Sequence, residues 1–342
     1  MDQVLVEDAG QQLITNWATH ISPGPENEAH QIVSFKVTAD HPELFAEQPL
    51  MTTDGTLIYK PAPDAHGQSA VKVVLQDDGN IEHNGCNQSL ETEFLITVLS
   101  KNDPPYFTKG SDQPIHEDAG RTTILYWARN ISAGPENESD QMVQFYVNTD
   151  KPDLFMENPS ISTDGHLSWE TQPDANGIAN VNVYLKDSGG TLNGGIDVST
   201  IQSFQIHVYE VNDPPSFTKG EDQNILENSP LQTIESWATH IIPGPADELD
   251  QSVIFRVSTN NDNLFSILPT ITPQGTLTFQ TAQNKTGSAL VTVFAEDNAG
   301  TSNGGDNSSE RQTFKINITP VYTLSVAMAE TGNCGGQFKT KD

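Results

Sequence analysis

The sequence predicts an all-β chain built from three tandem β-sandwich domains. Three observations carry this prediction: an internal repeat of 110 residues, apolar residues that alternate at period two within each copy, and turn clusters that separate the alternating runs. A constant period of this length indicates repeated domains, because domains most often contain about 100–150 residues and can each bury their own core.

The repeat aligns the chain with itself without a gap when it is shifted by 110 positions. Trp17 aligns with Trp127 and Trp237, and TTDGTL at Thr52 recurs as STDGHL at Ser162. The predicted domains are residues 1–101, 102–211 and 212–321, followed by a non-repeat tail at 322–342.

Within each copy the apolar pattern is that of strands. Runs rich in Val, Ile, Thr, Phe and Tyr alternate apolar and polar residues, and DG, PDAHG and DDGN turn clusters lie between them. In the first copy these runs are QIVSFKV (31–37), GTLIYKP (55–61), SAVKVVLQD (69–77) and TEFLITV (92–98). We expect about six to eight strands per copy, as in an immunoglobulin-like sandwich, and no helix longer than one turn.

Composition limits the function classes. The net charge of −30 on 342 residues argues against nucleic acid, which needs a basic surface, and against anionic membranes, while it permits cations. No apolar run of about 18 residues is present, so we expect no membrane insertion in this segment. An acidic surface that only keeps the chain soluble remains an alternative explanation of the charge.

Catalytic and covalent signatures are missing from the sequence. Nine histidines are scattered, and HExxH, GxSxG and P-loop motifs do not occur. The two cysteines, Cys86 and Cys334, lie at non-equivalent places in the repeat, so the fold is expected to need no disulfide. We therefore predict a non-enzyme.

A polar connector is written twice, as SKNDPPYFTKG from Ser100 and as EVNDPPSFTKG from Glu210. Two consecutive prolines exclude a helix and hold the preceding Asp extended, which makes each copy a stiff connector. The first copy has no counterpart of this connector, so we expect the chain to be an excerpt of a longer array whose first domain lacks its N-terminal edge.

The connector resembles the cadherin inter-repeat linker, D-x-N-D-N-x-P. The segments EDAG at Glu7, HEDAG around Glu117 and LENSP around Glu227 resemble the cadherin Glu near the start of each repeat. The whole unit, over residues 1–321, is also similar to the cadherin-like or Ig-like repeats of large bacterial surface adhesins. The resemblance implies a cadherin/Ig-like fold in each repeat, repeats arranged as an elongated rod, and calcium held between neighbours.

Calcium ligands follow from the resemblance at both junctions. Those implied at the first junction are Glu7, Asp64, Asn102, Asp103, Glu136, Glu138 and Asp187. Those implied at the second are Glu117, Asp174, Glu210, Asn212, Asp213, Asp247, Glu248 and Asp297. The chain departs from the family where PDA replaces Asp-Arg-Glu, where Ser100 and Lys101 replace an acidic start of the linker, and where Asn284 replaces an acid in the third copy.

Elementary electrostatics points to the same cation. Hard cations take six to eight oxygen ligands, and two carboxylates about 4 Å apart repel by ~1 kcal/mol in water and by ~4 kcal/mol near a protein surface. Calcium would remove this repulsion, with a dissociation constant of about 10⁻⁴ to 10⁻³ M as in extracellular modules. The alternative is that these acids point into solvent and cap turns.

The predicted function is an extracellular, cell-surface adhesion or structural stalk stiffened by calcium. Its expected partners are a cell-surface or matrix protein or glycan and neighbouring repeats of the same array. One alternative is a carbohydrate-binding appendage of a secreted enzyme, which needs an exposed aromatic row, yet Tyr59, Tyr126, Tyr146 and Tyr184 do not recur in all three copies. Another is an ion-free acidic spacer.

Overall fold

The computed structural model describes residues 1–82 and 85–323, and its regular structure is almost entirely β. Helical segments such as Glu26–Glu28 and Glu136–Glu138 are single 3₁₀ turns of three residues. The prediction of an all-β chain of tandem sandwiches is confirmed. The predicted tail lies almost wholly outside the described residues, and so does Cys334, while Cys86 is an exposed free thiol.

Within residues 1–82 and 85–323, the first repeat contains seven strands, and each later repeat contains nine. The strands of the first are β1 (Gln3–Val6), β2 (Gln12–Ile14), β3 (Val33–Ala39), β4 (Phe45–Met51), β5 (Leu57–Pro61), β6 (Gly67–Asp77) and β7 (Thr92–Leu99). Those of the second are β8 (Tyr106–Thr108), β9 (Gln113–His116), β10 (Arg121–Ile124), β11 (Arg129–Ser132), β12 (Val143–Thr149), β13 (Phe155–Ile161), β14 (Leu167–Thr171), β15 (Gly177–Asp187) and β16 (Gln202–Tyr209). Those of the third are β17 (Ser216–Thr218), β18 (Gln223–Leu226), β19 (Gln232–Ile234), β20 (Thr239–Ile242), β21 (Ile254–Thr259), β22 (Phe265–Ile271), β23 (Leu277–Thr281), β24 (Gly287–Glu296) and β25 (Gln312–Thr319).

Every repeat folds its strands into the same two sheets. In the first repeat a four-stranded sheet has the order β1-β7-β6-β3 and a three-stranded sheet has the order β2-β5-β4. The equivalent sheets are β9-β16-β15-β12 with β10-β14-β13, and β18-β25-β24-β21 with β19-β23-β22. In the first and third repeats the first strand of the four-stranded sheet runs parallel to the last strand of the repeat, β1 to β7 and β18 to β25.

The two later repeats add a short ribbon to this plan. Strand β8 pairs with β11, and β17 pairs with β20, each with an irregular register. Both ribbons use the end of the Pro-Pro connector and the segment after the repeated tryptophan. They raise the strand count above the predicted six to eight.

The period-two pattern places one face of each strand in the core. Strand β5 alternates buried and half-buried residues along its length, as do β14 and β23. The repeated tryptophans pack on the first phenylalanine of the last strand, with ring centroids 4.4 Å apart for Trp17 and Phe94 and 4.3 Å apart for Trp237 and Phe314. Such pairs add about 0.5–1.5 kcal/mol to the burial of their area.

The chain separates into two compact units. One comprises residues 1–113, 121–170 and 178–206, and the other comprises 114–120, 171–177 and the described chain from 207 onward. The three predicted domain boundaries therefore stay a prediction. No helix among the described residues is long and apolar enough to cross a membrane.

Candidate metal centres

Two groups of three aspartates bring carboxylate oxygens together at positions related by the repeat. We call Asp8, Asp64 and Asp103 the first acid triad; each offers one oxygen, and these oxygens all lie within 4.8 Å of one another. Residues Asp118, Asp174 and Asp213 form the second acid triad with the same limit. Each triad lies inside one compact unit and combines side chains from two successive repeats.

Tight turns position the first two members of each triad. Asp8 follows β1 with φ +60°, and Asp64 lies between β5 and β6 with φ +54°. Asp and Asn tolerate this left-handed conformation because their short side chains hydrogen-bond locally. The backbone N–H of Asp64 donates to Asp8 Oδ1 at 3.2 Å, which fixes one turn against the other. Asp118 and Asp174 repeat the same contact at 3.2 Å.

The third member of each triad lies in the connector and is held by a buried glutamate. The backbone N–H of Asp103 donates to Glu138 Oε1 at 3.0 Å, and that of Asp213 donates to Glu248 Oε1 at 3.1 Å. Glu138 is 6% exposed and Glu248 is 1% exposed. Both close a 3₁₀ turn, and the second carboxylate oxygen of Glu248 is buried with no hydrogen-bond partner.

A second buried glutamate holds the start of each connector. Glu7 accepts a hydrogen bond from the Lys101 backbone N–H at 2.5 Å, and Glu117 accepts one from Val211 at 2.7 Å. Both glutamates are 3% exposed, and the Oε2 atom of each is buried without a hydrogen-bond partner. A buried acceptor left unpaired costs about 1–3 kcal/mol, so these oxygens need a cation or a proton.

The first triad and its glutamates perturb one another. Burial raises the pKa of Asp103, and the nearby charges of Asp8, Asp64 and Glu7 raise it further, against a small opposing effect of Lys101. Burial likewise raises the pKa of Glu138, partly opposed by its hydrogen bond from Asp103 N–H. Each added charge makes the next ionisation harder, which is the signature of carboxylates that share one site.

We call each triad with its two buried glutamates an acid cluster. In the second acid cluster, too, burial and neighbouring charges raise the carboxyl pKa values. Burial raises the pKa of Asp213, with Asp118, Asp174 and Asp247 adding to the shift. Burial also raises the pKa of Glu117 and of Glu248, although hydrogen bonds to backbone N–H groups oppose both shifts. Asp247 is exposed and accepts a hydrogen bond from Asn176 Nδ2 at 2.9 Å.

The connector asparagines bind to protein groups. Asn102 Nδ2 donates to Asp187 Oδ1 at 3.0 Å and to the Ile196 carbonyl at 2.7 Å, while Gln141 Nε2 donates to Asn102 Oδ1 at 2.8 Å. In the third repeat Asn212, Asp297 and Gln251 form the equivalent network. The predicted ligands Asn102 and Asp187 thus hydrogen-bond to each other, and so do Asn212 and Asp297.

The third copy carries an uncharged version of the same turns. Asn228 and Asn284 replace the paired aspartates, at φ +60° and +57°. The backbone N–H of Asn284 donates to Asn228 Oδ1 at 2.8 Å, and Asn228 Nδ2 donates to Asn284 Oδ1 at 3.2 Å. The same turn therefore forms with neutral side chains, whose amides hydrogen-bond to each other.

The sequence-based ligand set overlaps these clusters only in part. Asp8 and Asp118 were missed, although each directly follows a predicted Glu in the EDAG motif. Glu136 and Glu210 are exposed and are not members of the triads. The predicted residues that the structure brings to the clusters are Glu7, Asp64, Asp103, Glu138, Glu117, Asp174, Asp213, Asp247 and Glu248.

The donor set suits a hard divalent cation. Each cluster presents three converging carboxylates and at least one buried glutamate oxygen that lacks a partner. Calcium prefers oxygen ligands of this kind and tolerates irregular geometry. The residues present therefore fit the calcium that the cadherin resemblance implies.

The tyrosine pair of the second repeat does not recur in the described parts of the other two repeats. Tyr146 and Tyr184 stack in the second repeat with ring centroids 5.0 Å apart and planes 4° apart. The positions aligned with Tyr184 hold Val74 in the first repeat and Phe294 in the third, where Arg311 covers the phenyl ring at 4.3 Å.

Comparisons with known proteins return cadherins by structure only. No family model and no curated protein matches the chain. The human desmocollin-1 ectodomain is similar over 95% of this chain and 61% of its own length, at 14% identity and a TM-score of 0.34. Mouse cadherin-23 EC22-24 is similar over 84% and 86%, at 17% identity and a TM-score of 0.41. Protocadherin gamma B2 domains 1-5 are similar over 95% and 59%, at 16% identity and a TM-score of 0.47.

These solved structures are ectodomains of tandem cadherin repeats, the family whose linker the sequence resembles. The chain spans about three fifths of the desmocollin-1 and protocadherin chains, 61% and 59% of them. At these identities and TM-scores the likeness assigns neither a partner nor an activity to this chain.

Proposed function

We propose that the chain is a non-catalytic extracellular adhesion or structural module whose successive repeats are joined by calcium at the two acid clusters. The observation that supports this most is the convergence of three carboxylates from two repeats, twice, at positions related by the repeat. Members of a triad repel one another unless a cation lies between them.

The third repeat indicates that the charge of the triad aspartates serves cation binding and is not needed to form the turns. Its Asn228 and Asn284 keep the turn conformation of the triads with neutral side chains that hydrogen-bond to each other. The aspartates at the first two positions are thus not needed to form the turns. Converging carboxylates need a cation to offset their repulsion, whereas the paired amides need none because they hydrogen-bond to each other.

The cation would act on the connector. Asp103 and Asp213 lie in connectors whose two prolines restrict the backbone, and the other triad members belong to the preceding repeat. An ion bound to all three would tie each connector to the repeat before it, while Asn102 and Asn212 tie it to the repeat after it.

Isothermal titration of calcium into the full chain tests the proposal. We expect two sites, with Asp103→Asn removing one, Asp213→Asn removing the other, and the double variant binding none. Small-angle scattering of the wild-type chain should change between millimolar calcium and excess chelator. Heat of binding that survives in the double variant, or scattering that is identical in both conditions, would refute the proposal and leave an ion-free acidic spacer.

A further inference from the structure

The two acid clusters differ at one position beside the buried glutamate. His66 directly precedes strand β6 in the first cluster, and Asn176 occupies the aligned place before β15 in the second. The His66 Nδ1 atom lies 3.7 Å from Glu7 Oε2, and the imidazole is 46% exposed. In the second cluster the side-chain amide of Asn176 donates to Asp247 Oδ2 at 2.9 Å and also lies beside Glu117, where it partly opposes the rise in pKa that burial causes.

The contact between His66 and Glu7 lies within ion-pair distance but is not a hydrogen bond. A separation of 3.7 Å is too long for a hydrogen bond, and Glu7 Oε2 is buried without any hydrogen-bond partner. Metal bonds of about 2.0–2.2 Å to imidazole nitrogen and carboxylate oxygen place two ligands of one ion roughly 3–4 Å apart. The pair therefore has the spacing of two ligands to a single cation.

The charges around the two clusters also differ. Lys101 lies in the first connector where the second has Val211, and Asn137 stands where the second has Asp247. The first cluster thus attracts any divalent cation less strongly through its charges, and the imidazole is the ligand type that distinguishes it from the second. Imidazole suits zinc and related divalent transition metals, whereas oxygen ligands alone suit calcium.

We infer that the first cluster is a mixed nitrogen and oxygen site that binds a divalent transition-metal cation of the zinc class through His66 and Glu7. The second cluster, which has only oxygen ligands and the amide of Asn176, has no such preference. This inference rests on the proposed function, because it uses the same cluster of side chains, and it adds a transition-metal preference at one of the two junctions.

Reciprocal exchange of the two residues tests the inference in the full chain. We expect His66→Asn to weaken zinc binding at one site by about tenfold or more, since loss of even an outer-shell partner of a metal ligand costs about 10–100-fold in affinity. Asn176→His should create a second zinc site of comparable strength. Both variants should keep both calcium sites in a separate titration, which shows that they are folded.

Nuclear magnetic resonance of the histidine side chains identifies the ligand. Zinc should shift the imidazole nitrogen signals that disappear in the His66→Asn variant. The control is His41→Asn, which removes an exposed imidazole beside Glu43 at 2.9 Å without touching either cluster. Its zinc affinity should equal that of the wild-type chain.

The outcomes separate the two proposals. If His66→Asn binds zinc as tightly as wild type, or if His41→Asn loses as much zinc binding, the inference is wrong, and intact calcium binding would leave the proposed function standing. If the wild-type chain binds no calcium, the proposed function fails, and the His66 signals with zinc alone still decide the inference.

Discussion

One pair of turn positions carries two aspartates in each of the first two repeats and two asparagines in the third. Asp8 and Asp64 in the first repeat, and Asp118 and Asp174 across the second, occupy the left-handed turns that Asn228 and Asn284 occupy in the third. The backbone is the same in each, so charge is the variable. The chain therefore contains its own neutral reference for each charged turn.

Neutralising a charged turn should stabilise the calcium-free chain. We expect Asp118→Asn combined with Asp174→Asn to raise the free energy of unfolding by about 1–3 kcal/mol, because it removes three repulsions of ~1 kcal/mol each at about 4 Å in water. Thermal unfolding in excess chelator measures the effect. The exposed turn residue Asp164, changed to Asn, is the control, and a drop in stability of the double variant would contradict the argument.

The connector residue Asn102 stabilises the fold through its hydrogen bonds, and an alanine substitution isolates this contribution. Asn102→Ala removes two donors from the buried Asp187 network and leaves Asp187 short of a partner. We expect a loss of about 1–3 kcal/mol, the cost of a buried polar group without its hydrogen bond. Urea unfolding measures this loss, whereas Asn148→Ala on the exposed face of β12 should stay within about 0.5 kcal/mol of wild type. Equal losses in both variants would refute the role of the network.

Among the structural elements, the 3₁₀ turns decide where the buried glutamates point. A Cβ atom on Gly244 would lie 2.9 Å from Glu248 Cδ and 3.0 Å from its Cβ, and one on Gly134 would lie 3.1 Å and 3.5 Å from the same atoms of Glu138. Glycine is required at these places for close approach and not for a left-handed backbone, since neither has a positive φ. The turn can therefore carry the glutamate only when the residue four places before it lacks a side chain.

Adding that side chain should damage one metal site and not the other. We expect Gly244→Ala to push the Glu248 carboxylate away from the Asp213 backbone N–H and to weaken calcium binding at the second cluster by about tenfold, as for loss of a supporting contact. Titration should still show the first site at wild-type strength. Gly10→Ala, where a Cβ atom meets nothing within 4 Å, is the control, and equal binding in both variants would contradict the role of the turn.

Strands with strict period-two alternation were predictable from the sequence, whereas short or irregular strands were not. The run SAVKVVLQD predicts β6 because alternation holds over its whole length, and the observed strand begins only two residues earlier, at Gly67. The ribbon strands β8 and β11 were missed because the first of them continues from two prolines, which carry no alternation and read as a connector. Short strands of three or four residues give too little pattern to detect.

At the candidate site, too, residues marked by a sequence motif were predicted, and residues positioned only by the folded backbone were missed. Asp103 and Asp213 were predicted because the Pro-Pro connector marks them and because the linker resembles that of cadherins. Asp8 and Asp118 were missed because the cadherin resemblance implies the Glu one position earlier as the ligand. The left-handed turn that directs each aspartate into its triad is a property of the folded backbone. Sequence alone could not show that Glu136 faces outward while Glu138 is buried.

At the scale of the whole molecule, the net charge of −30 and the buried acids act on stability together. Burial raises the pKa of Asp103, Asp213 and Glu117 in the folded chain, with neighbouring charges reinforcing the shift. A carboxyl group whose folded pKa is raised binds its proton more tightly when folded. Its contribution to stability is full below the unfolded pKa of about 4 and is lost as pH rises through the folded value.

The calcium-free chain should therefore become more stable as the pH falls from neutral toward the unfolded carboxyl pKa of about 4. Exposed acids such as Asp54 and Asp150, whose hydrogen bonds lower their pKa, oppose this trend only below about pH 4 and so leave the window unchanged. Saturating calcium should reverse the slope, because the ion binds only the ionised carboxylates and is released as they take up protons. Melting temperatures at pH 5, 6 and 7, with chelator and with calcium, measure both slopes.

General self-repulsion of an acidic chain would also favour lower pH, and a variant separates the two causes. Changing Asp8, Asp64, Asp118 and Asp174 to Asn removes four of the 46 acidic residues and so leaves most of the overall charge in place. If the clusters cause the pH dependence, this variant should lose the part of the slope in chelator that the neighbouring charges contribute and all of the reversal with calcium. If self-repulsion causes it, the slope in chelator should remain nearly that of wild type, and the clusters would then not be the sites that link stability to pH.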